Sequence, residues 1–144
     1  MSGTLAGCDS WFRNGLSGVS AHYGVGLDGT IHQYVHLQDM AWANGILEPG
    51  NTWPGTFGVN PNLLTVSIET EDLANPQQPV SEAQYLACLQ VGRLAIQTYP
   101  SIRYLLTHRV ISPQSRPNCP GARWVASGRF TQLANTLSLL WMTG

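Results

Sequence analysis

A mixed α/β fold, a central β-sheet flanked by helices, is what these 144 residues predict. Three observations carry that expectation. SAHYGVGL and TIHQYV flank Asp28-Gly29, the pattern of two strands joined by a tight hairpin. LTVSIE, residues 64–69, alternates, with Leu64, Val66 and Ile68 facing one way and Thr65, Ser67 and Glu69 the other. Two later stretches space their apolar residues as helices do, and strands interleaved with helices place helices against a sheet.

Taken in order, residues 4–13 form a short helix weakened by Gly7. The hairpin occupies the region from Val19 to Val35. Residues 43–62 are crowded with Gly, Pro and Asn, and so long a loop within a compact domain is often a binding loop. After LTVSIE, Ser81 with Gln84 three residues on makes a capping box. The helix it opens has an apolar face of Tyr85, Cys88, Leu89 and Ile96 and ends near Tyr99-Pro100. IRYLLTH, residues 102–108, reads as a buried strand that delivers His108 at its C-terminal end. Phe130, Leu133, Ala134, Leu137, Leu140 and Trp141 keep the spacing of a C-terminal amphipathic helix. No repeat or linker divides the chain, so residues 1–144 read as one domain.

Composition narrows the function. With 43% hydrophobic and 10% charged residues the chain is globular, and a net charge of -1 gives no footprint for nucleic acid or an anionic membrane. No apolar run reaches the length of about 18 residues that spans a bilayer. No signal peptide is visible at the N-terminus, so synthesis in the cytoplasm is expected. Three cysteines, an odd number, argue against a disulfide framework.

The stretch THRVISPQSRPNCPG, residues 107–121, holds the most concentrated chemistry. His108 and Cys119 are donor types that zinc accepts, and Pro113, Pro117 and Pro120 stiffen the loop between them. A buried structural thiol beside a hydrogen-bonded histidine fits the same spacing, and two ligands alone decide nothing. His32 and His36 lie about 13 Å apart on a strand, too far to share one ion. His22 reads as a structural histidine, Cys88 as helix core, and Cys8 has no inferable partner. Glu69 lies on the polar strand face, where a carboxylate serves as a general base or simply as a solvated strand end.

Together these pieces resemble the zinc-dependent N-acetylmuramoyl-L-alanine amidases, the fold shared by phage amidase endolysins and peptidoglycan-recognition proteins. The resemblance runs from about Gly18 to Phe130 and rests on four motifs in the family's order: SAHYGVGLDGTIHQYV, AWANG at 41–45, LTVSIETE and THRVISPQSRPNCPG. It implies that His108 and Cys119 are ligands of Zn2+ and that Glu69 orients or deprotonates the attacking water. Arg116 falls where many members carry the lysine that stabilises the oxyanion. Trp42, Asn44 and the 43–62 loop would shape the groove for glycan and stem peptide.

Two departures accompany the resemblance. Members carry a first zinc histidine on an apolar strand upstream of the segment matching GTLAGCDSW, whereas here no histidine precedes His22, so the third metal ligand is unknown. Ala43 stands where many relatives have histidine. A sheet without that first strand exposes two edges, which implies a shortened chain or self-association through an exposed edge. The implied function is an endolysin-type, bacteriolytic peptidoglycan hydrolase that reaches the wall after holin-type export or lysis. A non-catalytic peptidoglycan-binding module is the alternative. A cytosolic amidase that recycles anhydromuropeptides is the third reading.

Overall fold

The computed structural model describes residues 3–75 and 77–144. The first helix, α1 (Leu5–Arg13), starts at Thr4, whose side chain accepts the Gly7 N–H at 3.0 Å. This cap satisfies one of the donors a helix start leaves open, and α1 turns Leu5 and Cys8 inward.

The hairpin forms as β1 (Tyr23–Val25) and β2 (Ile31–Gln33), paired antiparallel with Gly24 opposite His32. Its turn closes with Gly26 N–H on the Thr30 carbonyl at 2.9 Å, and Asp28 Oδ1 accepts the Thr30 N–H at 2.9 Å. Gly29 adopts φ 87°, and a Cβ there would meet the Ala83 carbonyl oxygen at 3.0 Å. Both the left-handed backbone and the close approach to the following helix require glycine.

The alternating LTVSIE stretch is only partly a strand. Its first residue belongs to a 3-10 turn, Pro61–Leu64, and Leu64 is exposed; β3 is confined to Ile68–Thr70. Asn60-Pro61 explains the difference: Asn60 caps the turn by accepting the Asn62 N–H, and proline is preset for the first helical position. β3 lies parallel to β1, giving a mixed sheet in the order β2-β1-β3.

Helix α2 (Glu82–Thr98) begins at Ser81, whose Oγ accepts the Gln84 N–H at 3.0 Å. Only half of the expected capping box forms. The Gln84 side chain turns into the core, where it donates to the carbonyls of Val25 and Glu71 and accepts from Arg123. Tyr85, Cys88 and Leu89 are buried and Ile96 packs beside them, as the spacing predicts.

β4 (Tyr104–Leu106) is half-buried rather than buried, with Tyr104 exposed. α3 (Ala122–Val125) and α4 (Arg129–Thr136) follow. The C-terminal helix ends before the apolar spacing does. Leu137 caps it, Ser138 turns left-handed at φ 56°, and Leu140 and Trp141 join β5 (Leu140–Met142), parallel to β4. Ladder hydrogen bonds with β4 outweigh helical spacing there, and both side chains remain largely exposed.

The expected central sheet is therefore divided into β2-β1-β3 and β4-β5. A core of Val25, Tyr85, Leu89, Trp124, Phe130 and Leu133 lies between them and the helices. Each such buried apolar side chain is worth about 1.5–3 kcal/mol. Among the described residues no helix is long and apolar enough to cross a membrane.

Candidate active site

The eleven-residue step from His108 to Cys119 is built as a staircase of backbone hydrogen bonds. The His108 carbonyl accepts the Ser112 N–H at 2.9 Å, the Ser112 carbonyl accepts the Arg116 N–H at 2.9 Å, and the Arg116 carbonyl accepts the Cys119 N–H at 3.2 Å. Steps of four, four and three residues make up the spacing. Glu48 pins the outer bend, its Oε2 accepting the N–H groups of Gln114 and Ser115 at 2.7 and 3.0 Å. The chain returns far enough for the Cys119 sulfur to accept from the backbone N–H of His108.

His108 begins a 3-10 turn, His108–Val110, just past β4. Its Nε2 lies 3.3 Å from the Asn44 carbonyl oxygen. A carbonyl only accepts, so Nε2 carries the proton and Nδ1 keeps its lone pair. Burial holds the His108 pKa below its ordinary value, with Asn44 acting in the opposite sense, so the ring is neutral at neutral pH. Burial also pushes the Cys119 thiol up, and Glu69 adds to this while Arg116 and the His108 N–H oppose it. A protonated thiol of this kind is a poor nucleophile.

Glu69, in β3, lines the same space and acts electrostatically on both groups. Two hollows meet here, sharing Ala43, Glu69, His108, Cys119 and Pro120. An outer cleft of about 700 Å³ runs past Trp42, Trp11 and Arg116; an inner slot of about 490 Å³ passes between β3 and β4. Arg116 is exposed on the cleft rim, donating to the Ser115 carbonyl at 3.0 Å. Its charge reaches both His108 and Cys119.

Trp42 is 52% exposed and lines the outer cleft. Asn44 lines the inner slot. It is buried, its side-chain amide donates to Thr65 Oγ1 at 2.6 Å, and its carbonyl receives both His108 and Ser112 Oγ. Asn44 positions His108. It is held by Asn62, whose Oδ1 accepts the N–H groups of Ala43 and Asn44 at 3.0 and 2.8 Å. Sequence reasoning passed over Asn62, although Asn60-Pro61-Asn62 carried a turn signal.

A second group escaped it as well. Asp9 Oδ1 accepts from Tyr34 Oη at 2.6 Å and pairs with His32 Nδ1 at 2.9 Å, while Cys8 hydrogen-bonds Tyr34. These residues join α1 to the hairpin beneath the cleft. His22 is structural, as expected: it is 2% exposed, and its ring bridges Ser67 Oγ at 3.0 Å and the Asp39 carbonyl at 3.1 Å.

His108 Nδ1 and Cys119 Sγ are donors of the type zinc takes, whereas a closed zinc site uses four. Among the described residues no three His, Cys, Asp or Glu side chains gather as a metal-binding group. The described residues thus offer two donors of that type and not a complete site.

A helix-covered mixed sheet with Glu69, His108 and Cys119 at one opening defines an amidase-type domain. The chain belongs to the N-acetylmuramoyl-L-alanine amidase family, whose pattern matches residues 2–122. It is similar to the 1,6-anhydro-N-acetylmuramyl-L-alanine amidase AmpD of Haemophilus influenzae, with 28% identity over 100 residues. That match covers 68% of this chain and 50% of the relative, so the chain spans about half the relative's length. A crystal structure of a selenomethionine derivative of AmpD superimposes with a TM-score of 0.60 at 29% identity, covering 80% of this chain and 59% of the other. The Escherichia coli N-acetylmuramyl-L-alanine amidase AmiD superimposes with a TM-score of 0.64 at 26% identity, covering 85% and 49%. AmiD was solved with anhydro-N-acetylmuramic acid-L-Ala-D-γ-Glu-L-Lys.

Proposed function

We propose that this domain hydrolyses the amide bond between the lactyl group of N-acetylmuramic acid and L-alanine of the stem peptide. The convergence of Glu69, His108 and Cys119 where cleft and slot meet, inside an amidase-family fold, carries this reading. Glu69 takes a proton from the attacking water and returns it to the leaving amine. Arg116, on the rim, stabilises the oxyanion of the tetrahedral intermediate through its guanidinium N–H groups. Trp42 offers an apolar face to the sugar. The reading includes Zn2+ with His108 and Cys119 as two of its ligands; when bound, it supplies Lewis acidity at the carbonyl.

For the substrate, AmpD's name and the AmiD complex support anhydromuramoyl peptides, soluble fragments of peptidoglycan, over intact wall. The endolysin reading, with action on the wall after release from the cytoplasm, is second. The family resemblance carried by the four sequence motifs takes in phage endolysins as well. One experiment separates them: equal amounts of anhydromuramoyl tripeptide and purified sacculi are incubated with the domain and zinc, and free stem peptide is quantified. Release from the fragment alone supports recycling-type hydrolysis, and release from sacculi supports the endolysin. Binding to either with no peptide released sinks hydrolysis and leaves a peptidoglycan-binding module.

A further inference from the structure

The end of β3 departs from a parallel ladder. The Glu71 N–H reaches the Val25 carbonyl at 2.8 Å, so the next rung would bring the Leu27 N–H to the Glu71 carbonyl. Instead the Leu27 N–H goes to the Glu71 carboxylate, at Oε2, over 3.0 Å. The Glu71 carbonyl is taken by two buried side chains, accepting from Gln84 Nε2 and Arg123 Nη1, each at 3.0 Å. Past the Glu71 N–H, side chains and not the ladder fix the strand end, two residues beyond Glu69.

Arg123 is at the centre of this fixture. It is 6% exposed; its Nη2 donates to Gln84 Oε1 at 2.7 Å, and its Nη1 also lies 3.6 Å from Asp72 Oδ1. Trp124, the next residue, donates from Nε1 to Thr70 Oγ1 at 3.1 Å. Two consecutive side chains of α3 thus hold Thr70, Glu71 and Asp72, the three residues that follow Glu69. The same helix starts at Ala122, three residues after Cys119. Between them Gly121 passes close to the gripped segment: a Cβ there would crowd Asp72 Oδ2 at 3.3 Å. One short helix therefore connects the segment carrying Cys119 to the segment carrying Glu69. A planar guanidinium fork meets acceptors on two elements at once, which a lysine ammonium does not reproduce.

Stability alone does not account for a guanidinium at this place. Among the described residues its Nε–H meets no acceptor, and a buried, partly paired charge is weak evidence for stabilisation. What the arrangement secures is geometry. Arg123 lines neither the cleft nor the slot, so any effect on the site passes through the residues it holds.

We propose that Arg123 is a positioning residue for the hydrolysis proposed above: it sets Glu69 against His108 and Cys119 by locking the end of β3 to the helix that follows Cys119. This role rests on that reading of the site, since it requires Glu69 to act as the base.

The test compares the 144-residue chain with Arg123→Lys, alone and combined with Glu69→Gln, on whichever of the two peptidoglycan substrates the parent chain cleaves. Arg123→Lys should lower kcat by about tenfold or more and leave KM within about twofold, the mark of a misplaced group. In the Glu69→Gln background the same change should cost nothing further, because the group it positions is already gone. Hydrogen exchange supplies a readout apart from activity. The Glu71 amide should exchange about tenfold faster or more, with the Cys88 and Leu89 amides of α2 unchanged. Equal losses of activity with and without Glu69, or a common acceleration of all three amides, overturn the proposal, because either shows a merely structural arginine. Unchanged turnover overturns it too. Should Arg123→Lys fail to fold, Asp72→Asn keeps the shape and removes the charge beside Nη1. Its smaller loss of kcat should again vanish in the Glu69→Gln background, and a loss that persists there overturns the proposal. In each of these failures the parent still releases peptide, so hydrolysis stands and only the positioning falls. A parent chain that releases peptide from neither substrate brings down the hydrolysis reading and this role with it.

Discussion

The carbonyl oxygen of Asn44 lies 3.3 Å from Nε2 of His108 and 3.3 Å from the Ser112 hydroxyl, so one buried backbone group fixes both ring and loop. The ring's proton is committed to this contact and its free lone pair is at Nδ1. Because Asn44 is in turn clamped by Asn62, a residue remote in sequence sets the aim of the candidate ligand. Asn62→Ala removes the acceptor for two backbone N–H groups. It is expected to cost about 1–3 kcal/mol in urea unfolding and to lower zinc affinity by loosening the hold on the His108 ring.

Glu69→Gln keeps the shape of the side chain and removes the base. Hydrolysis of a muramoyl–L-alanine substrate should fall by about two orders of magnitude or more, with the far-ultraviolet circular dichroism spectrum unchanged. Peptide release followed by chromatography checks it; near-normal turnover would remove Glu69 from the chemistry.

Arg116 lies on the exposed rim, so its replacement should leave folding untouched. Arg116→Ala is expected to lower kcat at least tenfold with little change in KM, the pattern of an interaction made mainly in the transition state. Arg116→Lys, which keeps the charge, should recover part of that loss. A change confined to KM would make Arg116 a binding residue instead.

Acid should loosen the fold in a window set by the histidines. Burial lowers the pKa of both His22 and His108 from 6.5, so the unfolded chain binds protons that the folded chain refuses. Their contribution is fully present above about 6.5 and declines as pH falls from there toward the folded values. Urea midpoints measured from pH 7.5 down to 5 should decrease, and His22→Gln should flatten the slope. At lower pH a separate loss follows from Asp9, whose pKa is held below 3.8 mainly by hydrogen bonds from Tyr34 and His32.

Gly29→Ala tests the hairpin's seat against α2. A left-handed φ of 87° and a Cβ facing the Ala83 carbonyl act together, and the expected loss is roughly 1–2 kcal/mol or more. Thermal unfolding of the purified variant gives the answer. Unchanged stability would mean that the turn relaxes without disturbing the helix.

Local signals were legible where local chemistry decides the outcome. Ser81 and Asp28-Gly29 acted as the rules for caps and turns require, and His108 and Cys119 proved to be neighbours. What misled was spacing read without its competitors. Leu140 and Trp141 continued a helical pattern, yet β4 offered them a ladder, and Asn60-Pro61 drew Leu64 out of the strand. The anchoring of Asn44 was not legible because nothing nearby in sequence announces Asn62 and Thr65 as its partners. The Cys8–Tyr34–Asp9–His32 group was hidden for the same reason, being assembled from α1 and the hairpin only on folding.

The staircase from His108 to Cys119 makes length, more than composition, the inherited quantity in that loop. Pro113 and Gln114 sit on the bends between rungs, where exchange of one side chain for another leaves the rungs standing. Deleting a single residue there shifts every later donor by one place against its acceptor. If each step turns roughly as a helix does, the sulfur swings by about 100° away from the imidazole. Drift in this segment should therefore accumulate as substitutions, while gaps and insertions collect outside it.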